Sequence, residues 1–220
     1  MNRPYADMPM LPRQENYALA RRLAVEGLLR SNLKERATRG GASYEQSRNG
    51  EVQVGFKYLG REILVSFPQG TIETRNGQGP IPLREEILIL HYLVTASGAP
   101  LTGNWVSFSE IAGGAFYNPV FLMRCKSPLV KFFGEDPQAL WSVAREMGGE
   151  LLSLGDLGVK IRPFPFVPLA LVLWRGDDEF PAEGSILFDA SVSEYLPVED
   201  AVILAESVIW KLIKKAMGNR

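Results

Sequence analysis

The hydrophobic pattern of the chain changes its period near residue 50. Residues 13–37 carry apolar side chains at helical spacing, which predicts a long amphipathic N-terminal helix that ends before Gly40 and Gly41. From residue 51 the period becomes two, and the segments "VQVGFKY", "ILVSFP" and "TIETRNG" predict three strands of a meander. The next segment, "LREEILILHYLVTA", predicts a buried helix, because its apolar residues cover most of its circumference.

The second half of the chain predicts short helices, then strands, then a long C-terminal helix. Three segments that start with a capping residue and proline, "NPVFLMRCK", "SPLVKFFG" and "DPQALWSVAREMGG", each predict a short helix. Residues 157–163, "PLALVLW" and "SILFDA" predict strands, and "LPVEDAVILAESVIWKLIKKAMGNR" predicts the last helix. Because helices and strands come in runs, we expect an α+β fold whose mixed or largely antiparallel sheet is flanked by helices. We expect residues 13–217 to form a single domain behind a flexible tail of residues 1–12.

Composition and charge narrow the class of protein. Of the 220 residues, 46% are hydrophobic and 22% are charged, which is typical of a soluble globular protein. The 24 Lys and Arg residues balance 25 Asp and Glu residues without forming a basic stripe, so we expect no nucleic-acid partner. The N-terminus lacks the apolar run of a secretory signal, and the longest apolar runs are too short to span a bilayer. We therefore expect a cytoplasmic protein without a membrane partner.

Motifs of common catalytic sites are missing from the sequence. It contains no G-x-x-x-x-G-K-[ST], no G-x-G-x-x-G after a strand and no G-x-S-x-G. The sequence therefore gives no support for a nucleotide-binding loop or for the nucleophile turn of an α/β-hydrolase. The single cysteine, Cys125, and the single histidine, His91, cannot build a Cys/His metal site. An apolar pattern around Cys125 favours a packed thiol, and mid-helix His91 is interpreted as a core histidine or, alternatively, a catalytic base.

Two loop regions hold most of the candidate site residues. The segment "GNWVSFSEIAGGAFYNP", residues 103–119, combines aromatic and small polar residues with two adjacent glycines, as ligand pockets often do. A Trp-anchored loop with a capping box from Ser107 to Glu110 explains the same pattern equally well. The second region is the acidic loop, which we define as Asp177, Asp178 and Glu179.

The function of the acidic loop depends on its burial. Neighbouring carboxylates about 7 Å apart repel by about 0.6 kcal/mol in water, but by about 2.4 kcal/mol at an effective dielectric constant near 20. An exposed acidic loop is therefore a solvated turn. A buried one would need a metal ion or a compensating cation, for which the candidates are Arg84, Arg124 and Arg162.

Three elements of the sequence together resemble a known family. They are W-x-G-D-D-E-F-P at 174–181, I-L-F-D at 186–189 and Y-L-x-x-E-D at 195–200. With their surroundings they resemble the bacterial and archaeal proteins catalogued as domain of unknown function 3786, from about residue 15 to the last helix. The resemblance implies no activity, although some members carry a cysteine-rich segment of the iron–sulfur type. With Cys125 alone this chain cannot ligate a four-cysteine cluster, so we expect no iron–sulfur cluster from it and leave other cofactors open.

Three functions remain open from the sequence, and whether the chain is an enzyme is left undecided. We rank first a small-molecule or cofactor binding or accessory protein with a pocket near the 103–117 and 175–189 loops. Its candidate ligand-binding residues are Arg84, His91, Asn104, Trp105, Ser107, Glu110, Tyr117, Arg124, Asp177, Asp178, Glu179 and Asp189. The second function is a carboxylate-based or divalent-metal-assisted, hydrolase-like enzyme that uses the acidic loop with Asp189, and its candidate metal ligands are Asp177, Asp178 and Asp189. The third is an interaction module whose exposed apolar surface docks a redox partner protein.

Overall fold

The structure is a computed structural model that describes residues 14–75 and 79–218. The first part contains helices α1 (Gln14–Leu29) and α2 (Leu33–Arg39) and strands β1 (Ser43–Gln46), β2 (Val52–Tyr58), β3 (Arg61–Phe67) and β4 (Thr71–Thr74). The middle contains α3 (Leu83–Thr95), β5 (Trp105–Ser107), a 3-10 turn (Phe108–Glu110), α4 (Gly114–Phe121), a π-helical turn (Leu122–Lys126), α5 (Ser127–Phe133) and α6 (Pro137–Glu146). The last part contains β6 (Glu150–Leu152), β7 (Leu157–Phe164), β8 (Val167–Trp174), β9 (Glu183–Asp189), a 3-10 turn (Val192–Glu194) and α7 (Val198–Gly218).

The strands form two antiparallel sheets, which confirms the α+β fold. The first sheet is the meander β1-β2-β3-β4, and the second has the order β5-β9-β8-β7-β6. The predicted meander is confirmed for β2, β3 and β4. Strand β1 adds to it, although its residues are mostly exposed and show no hydrophobic alternation. In the described part of the chain, no helix is both long and apolar enough to cross a membrane.

One hydrophobic core joins both sheets to helix α3. Every residue of β8 before Trp174 is buried, as its continuous apolar run predicts. At the end of β7, the ring of Phe164 stacks on Tyr92 of α3 at a centroid distance of 4.3 Å. The same ring lies 4.9 Å from that of Tyr58 and 6.1 Å from that of Phe56, both in β2. Phe164 therefore connects the meander, the central helix and the second sheet.

Two helix predictions need correction. The helix predicted over residues 13–37 is two helices, because Asn32 starts α2 by accepting a hydrogen bond from the Glu35 N–H at 3.1 Å. Asparagine is among the best residues for this N-terminal capping position, and it ends the helical run before it. The first two of the three predicted short helices form one continuous run, which starts at Gly114 and passes through the π-helical turn into α5. The predicted tail of residues 1–12 lies outside the described residues.

Candidate functional site

The acidic loop is an exposed turn between β8 and β9. The three residues Asp177, Asp178 and Glu179 are all exposed. Asp177 Oδ1 accepts hydrogen bonds from the backbone N–H of Phe180 at 2.8 Å and of Glu179 at 2.9 Å, and these bonds lower the pKa of the Asp177 carboxyl. The structure confirms the solvated-turn interpretation, so the acidic loop needs no compensating cation.

Asp189 lies at the opposite end of β9 from the acidic loop. Strand β9 spans Glu183–Asp189, and six steps of about 3.3 Å place its ends roughly 20 Å apart. The Asp189 side chain is buried and accepts five hydrogen bonds of 2.7 to 3.0 Å. The donors are the backbone N–H groups of Thr102, Gly103 and Ser191 and the hydroxyls of Thr102 and Ser191. Asp189 therefore ties the chain before β5 to the chain after β9.

This placement gives no support to an active site that joins the acidic loop to Asp189. Their carboxylates are separated by the length of a strand, and the lone pairs of Asp189 already receive five donors. Among residues 14–75 and 79–218, no group of three or more His, Cys, Asp or Glu side chains is placed to hold a metal ion. The predicted metal ligands Asp177, Asp178 and Asp189 are therefore not brought together.

The 103–117 segment is a strand edge followed by a capped turn. Trp105 pairs with Asp189 in the ladder between β5 and β9, and the Asn104 carbonyl accepts a hydrogen bond from the chain just after β9. The Ser107 N–H and hydroxyl donate to Glu110 Oε2 at 2.7 and 2.6 Å, which confirms the predicted capping box. The segment thus meets the 175–189 region at its Asp189 end, far from the acidic loop.

Two predicted cations meet one carboxylate on helix α7. Arg84 Nη1 lies 3.0 Å from Glu206 Oε2, and Arg124 pairs with the same oxygen. All three side chains are less than one-third exposed, and the single carboxylate offsets half of the charge of the two partly desolvated guanidinium groups that share it. Cys125, next to Arg124, is fully buried, and burial together with the charge of Glu206 raises the pKa of its thiol. The packed-thiol interpretation of Cys125 is confirmed.

The other two predicted residues of this region also bind carboxylates of α7. His91 Nδ1 lies 2.6 Å from Asp200 Oδ2, and the Tyr117 hydroxyl donates to Glu199 Oε1 at 2.7 Å. With Arg84 and Arg124, they place four of the predicted site residues in one network along the first half of α7. Each cation of this network has a carboxylate partner, so the network stabilises the packing of α7 without leaving free charge for a ligand.

The single histidine of the chain supplies a direct test of this network. The hydrogen bond with Asp200 raises the pKa of His91 more than burial lowers it, from an ordinary value of 6.5. A raised pKa in the folded state contributes stability that is fully present below the unfolded pKa and is lost as pH rises through the folded pKa. We expect an NMR pH titration of the His91 ring to show the raised pKa, and Asp200→Asn to move it back down. A wild-type pKa at or below 6.5 would contradict the hydrogen bond.

Exposed apolar side chains lie beside the same network. Phe116 is 80% exposed, and Leu122 and Met123 are 41% and 42% exposed. All three belong to the helical run that also carries Tyr117 and Arg124. An interaction module for a redox partner protein would dock through an exposed apolar surface of this kind. The interaction function stays a prediction.

A cleft that no sequence motif marks lies between the tips of the two sheets and α7. Its volume is about 910 Å³, and it is walled by the β2–β3 turn, the α6–β6 turn, the β7–β8 turn and the C-terminal half of α7. We call it the cationic cleft. Its charged lining consists of Lys57, Arg61, Arg162, Lys211, Lys215, Glu146 and Glu150.

The charges of the cationic cleft are unequally paired. Lys215 Nζ lies 2.6 Å from Glu146 Oε2, and Arg162 Nη2 lies 3.9 Å from Glu150 Oε1. Five cations face two carboxylates, which leaves an excess of three positive charges. Within the described ranges, the lining cations that form no ion pair are Lys57, Arg61 and Lys211. The cleft differs in this respect from the network on the first half of α7, where the carboxylates match the cations.

Lys211 projects from α7 into the cationic cleft. Its Nζ donates a hydrogen bond to the Leu59 carbonyl at 2.9 Å. Burial, followed by the positive charge of Arg61, lowers the pKa of Lys211 to about 8, with a further contribution from Lys215 and an opposing one from Glu85. A residue in a cleft whose pKa is lowered by burial and by a neighbouring charge is a candidate for a functional role.

The backbone beside Lys211 is strained. Leu59 has a φ of 49°, in the left-handed region that leucine rarely adopts, and this conformation costs about 1–3 kcal/mol. The Leu59 side chain is buried, its N–H donates to the Pro163 carbonyl at 2.9 Å, and its own carbonyl accepts from Lys211. These contacts hold the β2–β3 turn against β7 and α7, and they fix one wall of the cleft.

A model of a known protein family matches most of the chain. The family is described as a domain of unknown function (DUF3786), and the match covers residues 32–210. No curated protein and no solved structure matches the chain. The matched residues include both sheets and most of the walls of the cationic cleft.

Proposed function

The chain belongs to this family of domains of unknown function, and from that premise we propose that it binds a compact polyanionic small molecule in the cationic cleft. The ligand class is a metabolite that carries phosphate or carboxylate groups. The single observation that carries this function is the excess of three positive charges around a cleft of about 910 Å³. The proposal keeps the binding function expected from the sequence but moves its pocket from the 103–117 and 175–189 loops to the cationic cleft.

The size of the cleft favours a small molecule. Ligand pockets of proteins commonly enclose about 300–1,000 Å³, and the cationic cleft falls in this range. A nucleic acid would need a longer basic surface, whereas the chain as a whole has a net charge of −1. The charge excess is local, which suits a compact anion.

The types of cation favour phosphate or carboxylate groups. Arg61 and Arg162 each present a planar set of N–H donors that can bind two oxygens of one phosphate or carboxylate. Arg61 has no ion pair in the described structure, so its donors are not committed to a carboxylate of the protein. A bound anion would also relieve the repulsion between Arg61 and Lys211, which contributes to the lowered pKa of Lys211.

Arg61→Gln is expected to weaken the binding of a polyanion by about tenfold or more, because it removes an unpaired charge and a forked donor from the cleft. Isothermal titration calorimetry with citrate and with pyrophosphate measures the change. Wild-type affinity should fall as salt is added, since screening weakens charge attraction.

The matched control for this experiment is Arg175→Gln. Arg175 is exposed and directly follows Trp174, the last residue of β8. The first residue of β8 lies next to the cleft, and the seven steps of the strand place its last residue roughly 23 Å further away. The control removes the same charge from the chain and should leave the affinity unchanged. Equal affinities for the wild type and Arg61→Gln, or no binding of either polyanion, would overturn the proposed function.

A further inference from the structure

The ammonium group of Lys211 faces charged groups from several elements. Lys215 lies one turn further along α7, Arg61 is the first residue of β3, and Glu85 on α3 acts on Lys211 through its charge. The remaining charged side chains that line the same cleft are Lys57, Arg162, Glu146 and Glu150. Lys211 Nζ is held at a defined place among these groups by its hydrogen bond to the Leu59 carbonyl.

We propose that Lys211 is a nucleophile that forms an imine with an anionic aldehyde or ketone bound in the cationic cleft. This inference rests on the proposed function and deepens it, because it names the substrate class as carbonyl compounds with a carboxylate or phosphate group. The cations around Lys211 would hold the anionic group, and the Leu59 carbonyl would hold the amine. Lysine amines in partly desolvated, cation-rich surroundings are suited to this chemistry.

The reaction needs no oxidant or reductant. The lone pair of the neutral Nζ attacks the carbonyl carbon, and the electron pair of the C=O bond moves to the oxygen. The carbinolamine that results loses this oxygen as water, while the nitrogen lone pair forms the C=N bond. Both protons of the neutral amine leave in that water molecule, so one C=O bond and two N–H bonds are exchanged for one C=N bond and water.

The surroundings of Lys211 make the neutral amine accessible near neutral pH. Burial and the charge of Arg61 lower the pKa of Lys211 from 10.5 to about 8. At pH 7 the neutral fraction is then roughly 300 times that of an ordinary lysine. Lys214, on the same helix, is exposed and does not line the cleft, so it is an internal reference for amine reactivity.

Reductive trapping tests this inference on the full chain. The protein is incubated at pH 7 with glyoxylate and cyanoborohydride, and carboxymethylation of each lysine is followed by peptide mass spectrometry. We expect Lys211 to be modified about tenfold faster than Lys214. Acetaldehyde is the matched aldehyde without a carboxylate, and it should show at most a small part of this preference. Citrate should slow the modification of Lys211 by competing for the cations.

Two variants separate the nucleophile from the anion site. Lys211→Arg keeps the positive charge but removes the amine, so the fast carboxymethylation of the chain should disappear while the modification of Lys214 stays unchanged. Arg61→Gln keeps the amine and should slow its modification by glyoxylate. The citrate competition uses the wild-type chain, so the inference can be tested even where a variant fails to fold.

The outcomes distinguish this inference from the proposed function. Citrate binding that depends on Arg61, together with modification of Lys211 no faster than that of Lys214, would overturn the imine inference and leave anion binding intact. Lys211 would then hold the Leu59 turn without reacting. Absence of citrate and pyrophosphate binding, with equal modification by glyoxylate and acetaldehyde, would overturn both.

Discussion

Replacing Phe164 with alanine is expected to reduce the free energy of unfolding by about 3–5 kcal/mol, as large-to-small changes of buried aromatic residues do. The Phe164 side chain is fully buried, and its ring contacts those of Phe56, Tyr58 and Tyr92. Alanine would leave a cavity where β2, α3 and β7 meet, and it would also remove the aromatic pair energy. Denaturant unfolding at constant pH measures the loss.

Phe180→Ala is the matched control for this prediction. Phe180 lies in the turn after the acidic loop and is 67% exposed, so the same substitution there should change the free energy of unfolding by about 0.5 kcal/mol or less.

The variant Phe164→Leu fills part of the cavity, so its free energy of unfolding should fall less than that of the alanine variant. Because it keeps every cation of the cleft, it should still bind citrate. A loss below about 1 kcal/mol for Phe164→Ala would contradict the central role of this ring.

The elements that the sequence predicts well are those whose hydrophobic pattern and end signals agree. Strand β8 and helix α3 have long apolar patterns between clear boundaries, and both were predicted nearly to the residue. The break between α1 and α2 depends on a single capping residue, Asn32, within an otherwise continuous helical pattern. Where one local hydrogen bond competes with a periodic pattern, the pattern alone cannot decide the outcome.

The candidate site residues meet their partners through contacts between distant segments of the chain, and the sequence does not indicate these contacts. Asp189 was grouped with the acidic loop because they are close in the sequence, but its partners Thr102 and Gly103 are 87 and 86 residues away. The helix α7 partner of Arg84 and Arg124, Glu206, carries no motif and was not identified. Burial and pairing across more than eighty residues are properties of the folded chain, and a single sequence contains no pattern that specifies them.

The cationic cleft was missed because its cations are scattered. Lys211 stands near Lys214 and Lys215 towards the end of α7, where basic residues complement the negative end of a helix, so the sequence pattern gives it an ordinary explanation. Yet Lys211 is three residues after Val208 and seven after Leu204, which are both buried, so helical spacing places it at the edge of the buried face. A lysine on the apolar side of an amphipathic helix is the one signal in the sequence that could have indicated this site.

Asp189→Ala is expected to destabilise the protein by about 3–5 kcal/mol at pH 7, because it removes the acceptor of five hydrogen bonds from a site where the side chain is 3% exposed. The buried donors of Ser191 and the donors of Thr102 and Gly103, which are exposed residues, would lose their partner. The matched control is Asp178→Ala in the exposed acidic loop, which should leave the unfolding midpoint nearly unchanged. Chemical denaturation of the two variants makes the comparison.

The stability that Asp189 contributes should also depend on pH. Burial on its own raises the pKa of Asp189, but hydrogen bonds from Ser191, Thr102 and Gly103 outweigh burial and lower it below 3.8. A depressed pKa in the folded state gives stability that is present above the unfolded pKa and is lost as pH falls through the folded pKa. The difference in unfolding free energy between the wild type and Asp189→Ala should therefore be constant from about pH 5 to 7 and shrink below about pH 4. A difference that stays constant into strong acid would show that the Asp189 carboxylate is not stabilised in its charged form.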